Sequence, residues 1–186
     1  AQWGSKSQLR DYRRGLLRAA KHNITLRNFQ DVSVEGLSYQ FAEMKRDEIY
    51  TRLKAMIFQS TALHELGHTL GLRHNFYGSA DRHNYHSQYY NIYNNFTDET
   101  DRLRNRMVEY QYSSIMDYGG KFYSDISGLG KYDRAAIMFG YGNLVEVFND
   151  TTIDPNDYEL PMNGDFIDTE RLESRDWVPF DQLSHA

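Results

Sequence analysis

The sequence predicts an α+β domain, mostly helical in this chain, and three observations carry that prediction. From about Tyr39 the apolar residues Ile49, Leu53, Met56, Ile57 and Leu63 recur at helical spacing, in a run that lasts until Gly71. Only Ile24 to Val34 has the composition of an early strand. The bulk composition, 40% hydrophobic and 15% aromatic over 186 residues, suits one packed core and excludes a disordered chain. No internal repeat or low-complexity linker divides the sequence, so 1–186 reads as a single domain or a fragment of one. Within it, 1–43 forms an N-terminal helical segment, 44–142 the chemical centre, and 143–186 an acidic, irregular C-terminal segment.

Each element follows from local pattern. Gln8 to His22 places Leu9, Tyr12, Leu16, Leu17 and Ala20 at helical intervals, with arginines between them. The long run from Tyr39 is expected to be a buried helix, because ligand side chains need rotamers locked by packing. Residues 75–97, rich in Asn, Tyr, His and Ser, read as a long loop, either rimming a cleft or laying its tyrosines on the scaffold. Asp98 to Tyr110 reads as a charged, exposed helix with a cap-like start, and Lys131 to Phe139 as a short helix ended by Gly140. Beyond 142 periodicity is lost. Asp150, Asp154, Asp157, Asp165 and Asp168 fit no calcium-loop pattern and read as a solvated acidic tail.

The chemistry lies in residues 64–74, His-Glu-Leu-Gly-His-Thr-Leu-Gly-Leu-Arg-His. On a helix, positions four apart differ by about 40° in azimuth and about 6 Å in height, so His64 and His68 point the same way. Two such imidazoles can hold one Zn²⁺ ion. Glu65, rotated by about 100°, sits near that ion without joining the pair, which suits a general base. Gly71 stands where the helix must stop, since glycine tolerates the left-handed conformation that ends helices. The chain can then return His74 as a third ligand. Three protein ligands leave a position for water, the arrangement of a catalytic rather than a structural site.

A second element lies downstream, Ser113-Ser114-Ile115-Met116-Asp117-Tyr118-Gly119. Together the two stretches resemble the metzincin clan of zinc metallopeptidases, whose long zinc motif is followed by a methionine-containing Met-turn. The resemblance implies a metzincin-like catalytic domain in which Met116 floors the three histidines and Tyr118 approaches the metal. It also implies a zinc endopeptidase acting on a protein or peptide, secreted or periplasmic, although no signal peptide is visible in this chain. The string 68–76, His-Thr-Leu-Gly-Leu-Arg-His-Asn-Phe, with Asn75 after the third histidine, and the segment 130–142, Gly-Lys-Tyr-Asp-Arg-Ala-Ala-Ile-Met-Phe-Gly-Tyr-Gly, resemble a bacterial group of predicted metzincins that includes the A subunit of an AB-type enterotoxin. Metzincin domains carry a mixed β-sheet ahead of the zinc helix, and the 63 residues before His64 read mostly helical. The upper sheet is therefore expected to be incomplete, with a missing N-terminal subdomain or a partner chain to complete it.

Other classes fit less well. A net charge of −5 gives no footprint for nucleic acid, and no basic amphipathic stretch or long apolar run marks a membrane partner. With no cysteine, thiolate ligands and a cysteine nucleophile are excluded. His22, His83, His86 and His185 lack ligand spacing and read as ordinary surface or satisfied histidines. The sequons at Asn23, Asn95 and Asn149 matter only in a glycosylating host. Two rival readings stay open. One is a catalytically silent metzincin-like zinc protein that binds partners in its groove; the other is a zinc hydrolase with a downstream glutamate as third ligand.

Overall fold

A computed structural model of the chain describes residues 32–117, 126–154 and 159–183, with no account of the side chains of 32–34. The expected helix Gln8 to His22 and most of the candidate strand lie outside the described residues, as do His22, Tyr118, Asp157 and His185. Where the candidate strand is described, at Val32 to Val34, the backbone is already helical: α1 spans Val32–Phe41.

The long helical run is two helices, not one. After α1 the chain turns at residues 42–45, and α2 runs over Arg46–Thr69. Asp47 and Glu48 occupy its first turn, where carboxylates complement the positive end of the helix dipole. The expectation that α2 is buried is overturned. Its 24 residues extend about 36 Å, but only His64 and Gly67 are buried, while Phe58 is 74% and Leu66 53% exposed. The buried residues lie in the last turns, where Leu63 meets a core cluster of Leu72, Tyr112, Ile115 and Met116. The metal-motif end is therefore the most deeply packed part of the helix among the described residues.

Residues 75–97 are not a loop either. They contain a 3₁₀ turn at Arg82–Asn84 and the helix α3, Ser87–Asn95. Tyr85, Tyr89 and Tyr90 from this stretch form the second core cluster with Ile167 and Leu172. Tyrosine serves here as the large hydrophobe, each fully buried ring contributing about 1.5–3 kcal/mol. Two of the hydroxyls are satisfied by backbone carbonyls: Tyr90 donates to Arg82 O at 2.8 Å and Tyr85 to Ser79 O. Burial pushes the Tyr85 phenol up to about 12.

The charged helix is shorter than its sequence suggests. α4 covers Glu99–Arg104, capped by Asp98, whose carboxylate accepts from the backbone of Thr100 and Asp101. Arg106 then adopts a left-handed conformation, φ 62°, and a 3₁₀ turn follows at Met107–Tyr110. Glu109 is buried there and pairs with Arg106. α5 spans Lys131–Gly142, passing through Gly140 and ending at Asn143 with φ 52°.

Among its described residues the C-terminal segment contains regular structure rather than being irregular. β1 (Leu144–Phe148) pairs antiparallel with β4 (Arg175–Pro179), placing Glu146 opposite Trp177. Between them come the two-residue strands β2 (Met162–Asn163) and β3 (Phe166–Ile167) and the short helix α6, Thr169–Glu173. Nor are all the acids solvated bystanders. Asp168 caps α6 through the N–H of Arg171, and Asp150 pairs with the Arg171 guanidinium, which holds its carboxyl down to about 2. Arg175 is the buried link to the rest of the domain, donating to Glu146, Asn84 and the carbonyls of His83 and Leu172.

Candidate metal centre

Helix α2 ends on a backbone motif that also shapes the centre. Leu70 is the cap; Gly71 N–H bonds His68 O and Leu72 N–H bonds Gly67 O, both at 3.0 Å. This pair of bonds is the Schellman arrangement, and it requires the residue at Gly71 to be left-handed; its φ is 88°. The chain reverses and returns His74 to the two helix histidines. Ring centroids lie 5.1 Å apart for His64–His68, 5.4 Å for His64–His74 and 4.9 Å for His68–His74.

Backbone carbonyls orient two of these rings. His64 Nδ1 lies 2.7 Å from Ile115 O and His68 Nδ1 lies 3.0 Å from Leu72 O. A carbonyl only accepts, so each Nδ1 carries the proton, and a neutral ring then presents its Nε2 lone pair. Such outer hydrogen bonds are the usual means of fixing a ligand's tautomer and direction. One donor nitrogen from each of the three residues lies within 4.8 Å of the others, and these form the only group among the described residues suited to a metal. Nitrogens about 2.0–2.1 Å from a tetrahedral Zn²⁺ stand about 3.4 Å apart, within the reach of three such rings. The donor set fits the ion that the sequence implies.

Residues 113–117 pack against the end of α2. Ser113, Ser114, Ile115 and Met116 are fully buried. Gly67 allows the turn to approach: a Cβ there would stand 2.5 Å from Met116 Sδ. Asn75 N–H bonds Met116 O at 3.0 Å, which ties the residue after the third histidine to the turn. From below, the fully buried Asp133 of α5 gathers the turn. Its Oδ1 accepts from Ser114 Oγ at 2.7 Å, and its Oδ2 from the N–H groups of Ile115 at 2.8 Å and Gly130 at 2.9 Å. Burial pushes this carboxyl up, and the three hydrogen bonds oppose the shift by stabilising the anion. Asp133 was not singled out from the sequence. Its signal was an Asp three residues after a glycine at a helix start, where it can bond back to the N-cap backbone.

A family model described as Met-zincin matches residues 46–152, more than half of the chain. The chain belongs to the Met-zincin family. No curated protein and no solved structure matches it. The matched span contains α2, all three histidines, the Met116 turn, α5 and β1, and thus the whole centre described above.

In this Met-zincin, Glu65 is exposed on α2 beside His64 and stands outside the three-histidine group. Tyr118 lies outside the described residues. An open cleft of about 530 Å³ is lined by His68, Gly71, Leu72, Arg73 and His74, and His68 and His74 are themselves exposed. A larger cavity, about 750 Å³, opens between α5 and β1 and has no histidine in its wall. Size does not mark the chemistry here, because the metal centre lies in an open cleft. The acids after residue 142 form no further metal group among the described residues.

The remaining described histidines are structural. His83 is buried and its Nε2 donates to Glu159 O at 2.9 Å. His86 packs edge-on against Tyr112, with centroids 4.6 Å apart, and burial, aided by Arg134 and Lys131, lowers its pKa from 6.5 to about 4. Between those values the unfolded chain takes up a proton that the folded one refuses. Folding stability should therefore fall as pH drops from about 6.5 to about 4, with no further loss from this group below that. Denaturant midpoints across this range, compared with His86→Gln, should show a shallower slope in the variant; equal slopes would refute the assignment.

Proposed function

We propose that the chain is a zinc-dependent endopeptidase that hydrolyses peptide bonds of protein or peptide substrates. What carries the reading is the convergence of His64, His68 and His74 at the end of α2, with two rings pinned through Nδ1, beside an exposed Glu65. Membership of the Met-zincin family supports it. The three imidazoles would hold Zn²⁺ through one ring nitrogen each, with His68 and His74 in the wall of the open cleft. Zinc, when bound, supplies a Lewis acid and brings the pKa of water towards about 7. Glu65 takes a proton from the attacking water and delivers it to the departing amine. The exposure of Glu65 leaves its carboxylate reachable from the side on which substrate arrives. By the resemblance stated above, Tyr118 adds a hydrogen bond to the carbonyl oxygen as negative charge develops there.

The same resemblance motivates three further parts of the proposal. The protein acts outside the cytoplasm, secreted or periplasmic; its relatives include the enterotoxin A-subunit group; and an N-terminal subdomain or partner chain completes the substrate groove. Neither nucleic acid nor a membrane is proposed as a partner. No helix among the described residues is long and apolar enough to cross a membrane.

The test is metal removal. Incubated with an unfolded protein, the zinc-loaded chain should generate peptides, lose that activity on chelation and regain it with stoichiometric zinc. Tight zinc binding with no cleavage of unfolded proteins, but stable capture of them, would favour the silent binding module instead.

A further inference from the structure

We propose that Asp133 is a positioning residue for the metal ligand His64, acting through an unbroken chain of hydrogen bonds that crosses one peptide unit. The inference rests on the zinc reading above and deepens it. His64 Nδ1–H donates to Ile115 O at 2.7 Å. That carbonyl belongs to the peptide unit whose N–H is on Met116, and Met116 N–H donates to Ser114 Oγ at 3.1 Å. The Ser114 hydroxyl then donates to Asp133 Oδ1 at 2.7 Å. Every donor along this path points towards the carboxylate. Ser114 has one proton to give, so the direction is not ambiguous: Oγ accepts from Met116 and donates to Asp133.

The geometry has the form of a carboxylate–histidine–metal triad lengthened by a hydroxyl and a peptide group. Its far end is rigid. Asp133 Oδ2 is held by the N–H groups of Ile115 and Gly130, and Asp133, Ser114, Ile115 and Met116 are all fully buried. A negative charge in such surroundings is weakly screened, and successive hydrogen bonds polarise one another by about 10–30% each. The peptide carbonyl facing His64 is thereby made a stronger acceptor, which fixes the tautomer and direction of the ring. His68 differs: its Nδ1 bonds Leu72 O, the carbonyl of the helix cap. His64 is also the buried member of the triad, the other two being exposed. The structure thus assigns one ligand to be tuned from the interior and two to face the cleft.

A merely architectural Asp133 would hold the Met116 turn in place and do nothing more. The two roles separate in a comparison of Asp133→Asn, Ser114→Ala and Leu172→Ala. Asp133→Asn keeps the shape and turns a donor amine towards Ser114, so that the hydroxyl loses its acceptor and the chain of bonds is broken there. Ser114→Ala removes one link and leaves the two backbone bonds of Asp133 in place. Leu172 is fully buried in the other core cluster, so Leu172→Ala perturbs stability away from the chain of bonds. For each, zinc affinity is measured by chelator competition on folded protein, together with the visible absorption of the cobalt-substituted form and the thermal midpoint.

Asp133→Asn and Ser114→Ala should each weaken zinc binding about 10–100-fold and shift the cobalt spectrum. Leu172→Ala should lower the midpoint and keep the parent's affinity and spectrum. Parent-like affinity in both chain variants, or an affinity loss that follows the thermal midpoint in all three, would overturn the inference. A parent that binds no zinc would overturn this inference and the function together. A parent that binds zinc and cleaves nothing would remove the function and leave the role of Asp133 standing.

Discussion

Glu65→Gln should retain the parent's zinc content and lose about 10²- to 10⁴-fold in the rate of peptide hydrolysis, the usual weight of a positioned general base. The two halves of this expectation have separate origins. Zinc should be kept because Glu65 is not among the residues that can gather on one ion; that group is His64, His68 and His74. Activity should be lost because the amide cannot take the proton that the attacking water must shed. Glutamine matches glutamate in size and nearly in helix propensity, so α2 has no reason to change. The exposure of Glu65 also removes the objection that the substitution strands a buried group. Turnover per bound zinc, measured for both proteins on one unfolded substrate, is the decisive quantity. Comparable turnover in the two would mean that the proton goes elsewhere, and the mechanism proposed for Glu65 would fail.

Gly130→Ala should be among the most damaging single methyl additions to this fold. Gly130 precedes α5 with φ −71° and ψ 172°, a conformation open to any residue, so backbone freedom is not why glycine stands there. Close approach is the reason. A Cβ would lie 1.8 Å from Ser113 O, 2.2 Å from Ser113 C and 2.7 Å from Ser114 N. These are backbone atoms of the turn beneath the metal centre and cannot swing aside as a side chain would. Relief needs the start of α5 to move off the turn, which would also pull Asp133 from Ser114 and Ile115. We expect a loss of at least about 3 kcal/mol, near the upper end of single-residue effects. For a domain of this size that corresponds to a melting point lower by roughly 6–12 °C. A variant within about 1 kcal/mol of the parent in denaturant unfolding would show that the contact is not as rigid as its geometry implies.

What the sequence made legible was local. The three histidines, Glu65 and Gly71 fall within eleven residues, and helix geometry alone relates them. The cap at Gly71 follows from the same few residues. The Met116 turn was legible only beside that motif, and its partner Asp133 was missed because fold contacts, not spacing, bring α5 beneath it. Elsewhere the errors have identifiable causes. Tyrosine-rich 75–97 looked like a loop because tyrosine counts as polar in a pattern, whereas Tyr85, Tyr89 and Tyr90 bury their rings, and Tyr85 and Tyr90 satisfy their hydroxyls on backbone carbonyls. Strands β2 and β3 are two residues each, too short to display alternation, and β1 finds its partner only at β4. The exposure of most of α2 could not be read from its apolar residues, because composition does not say which of them find a partner.

Leu72 carries two duties whose joint effect is a constraint on how this centre can vary. Its N–H closes the end of α2 on Gly67 O and its carbonyl holds His68 Nδ1. Helix length and ligand direction are thus coupled through a single residue. Adding or removing one position between His68 and His74 would rotate the cap by about 100° relative to the helix and release the imidazole in the same stroke. Length variation among descendants of this centre is therefore expected to be excluded from that interval.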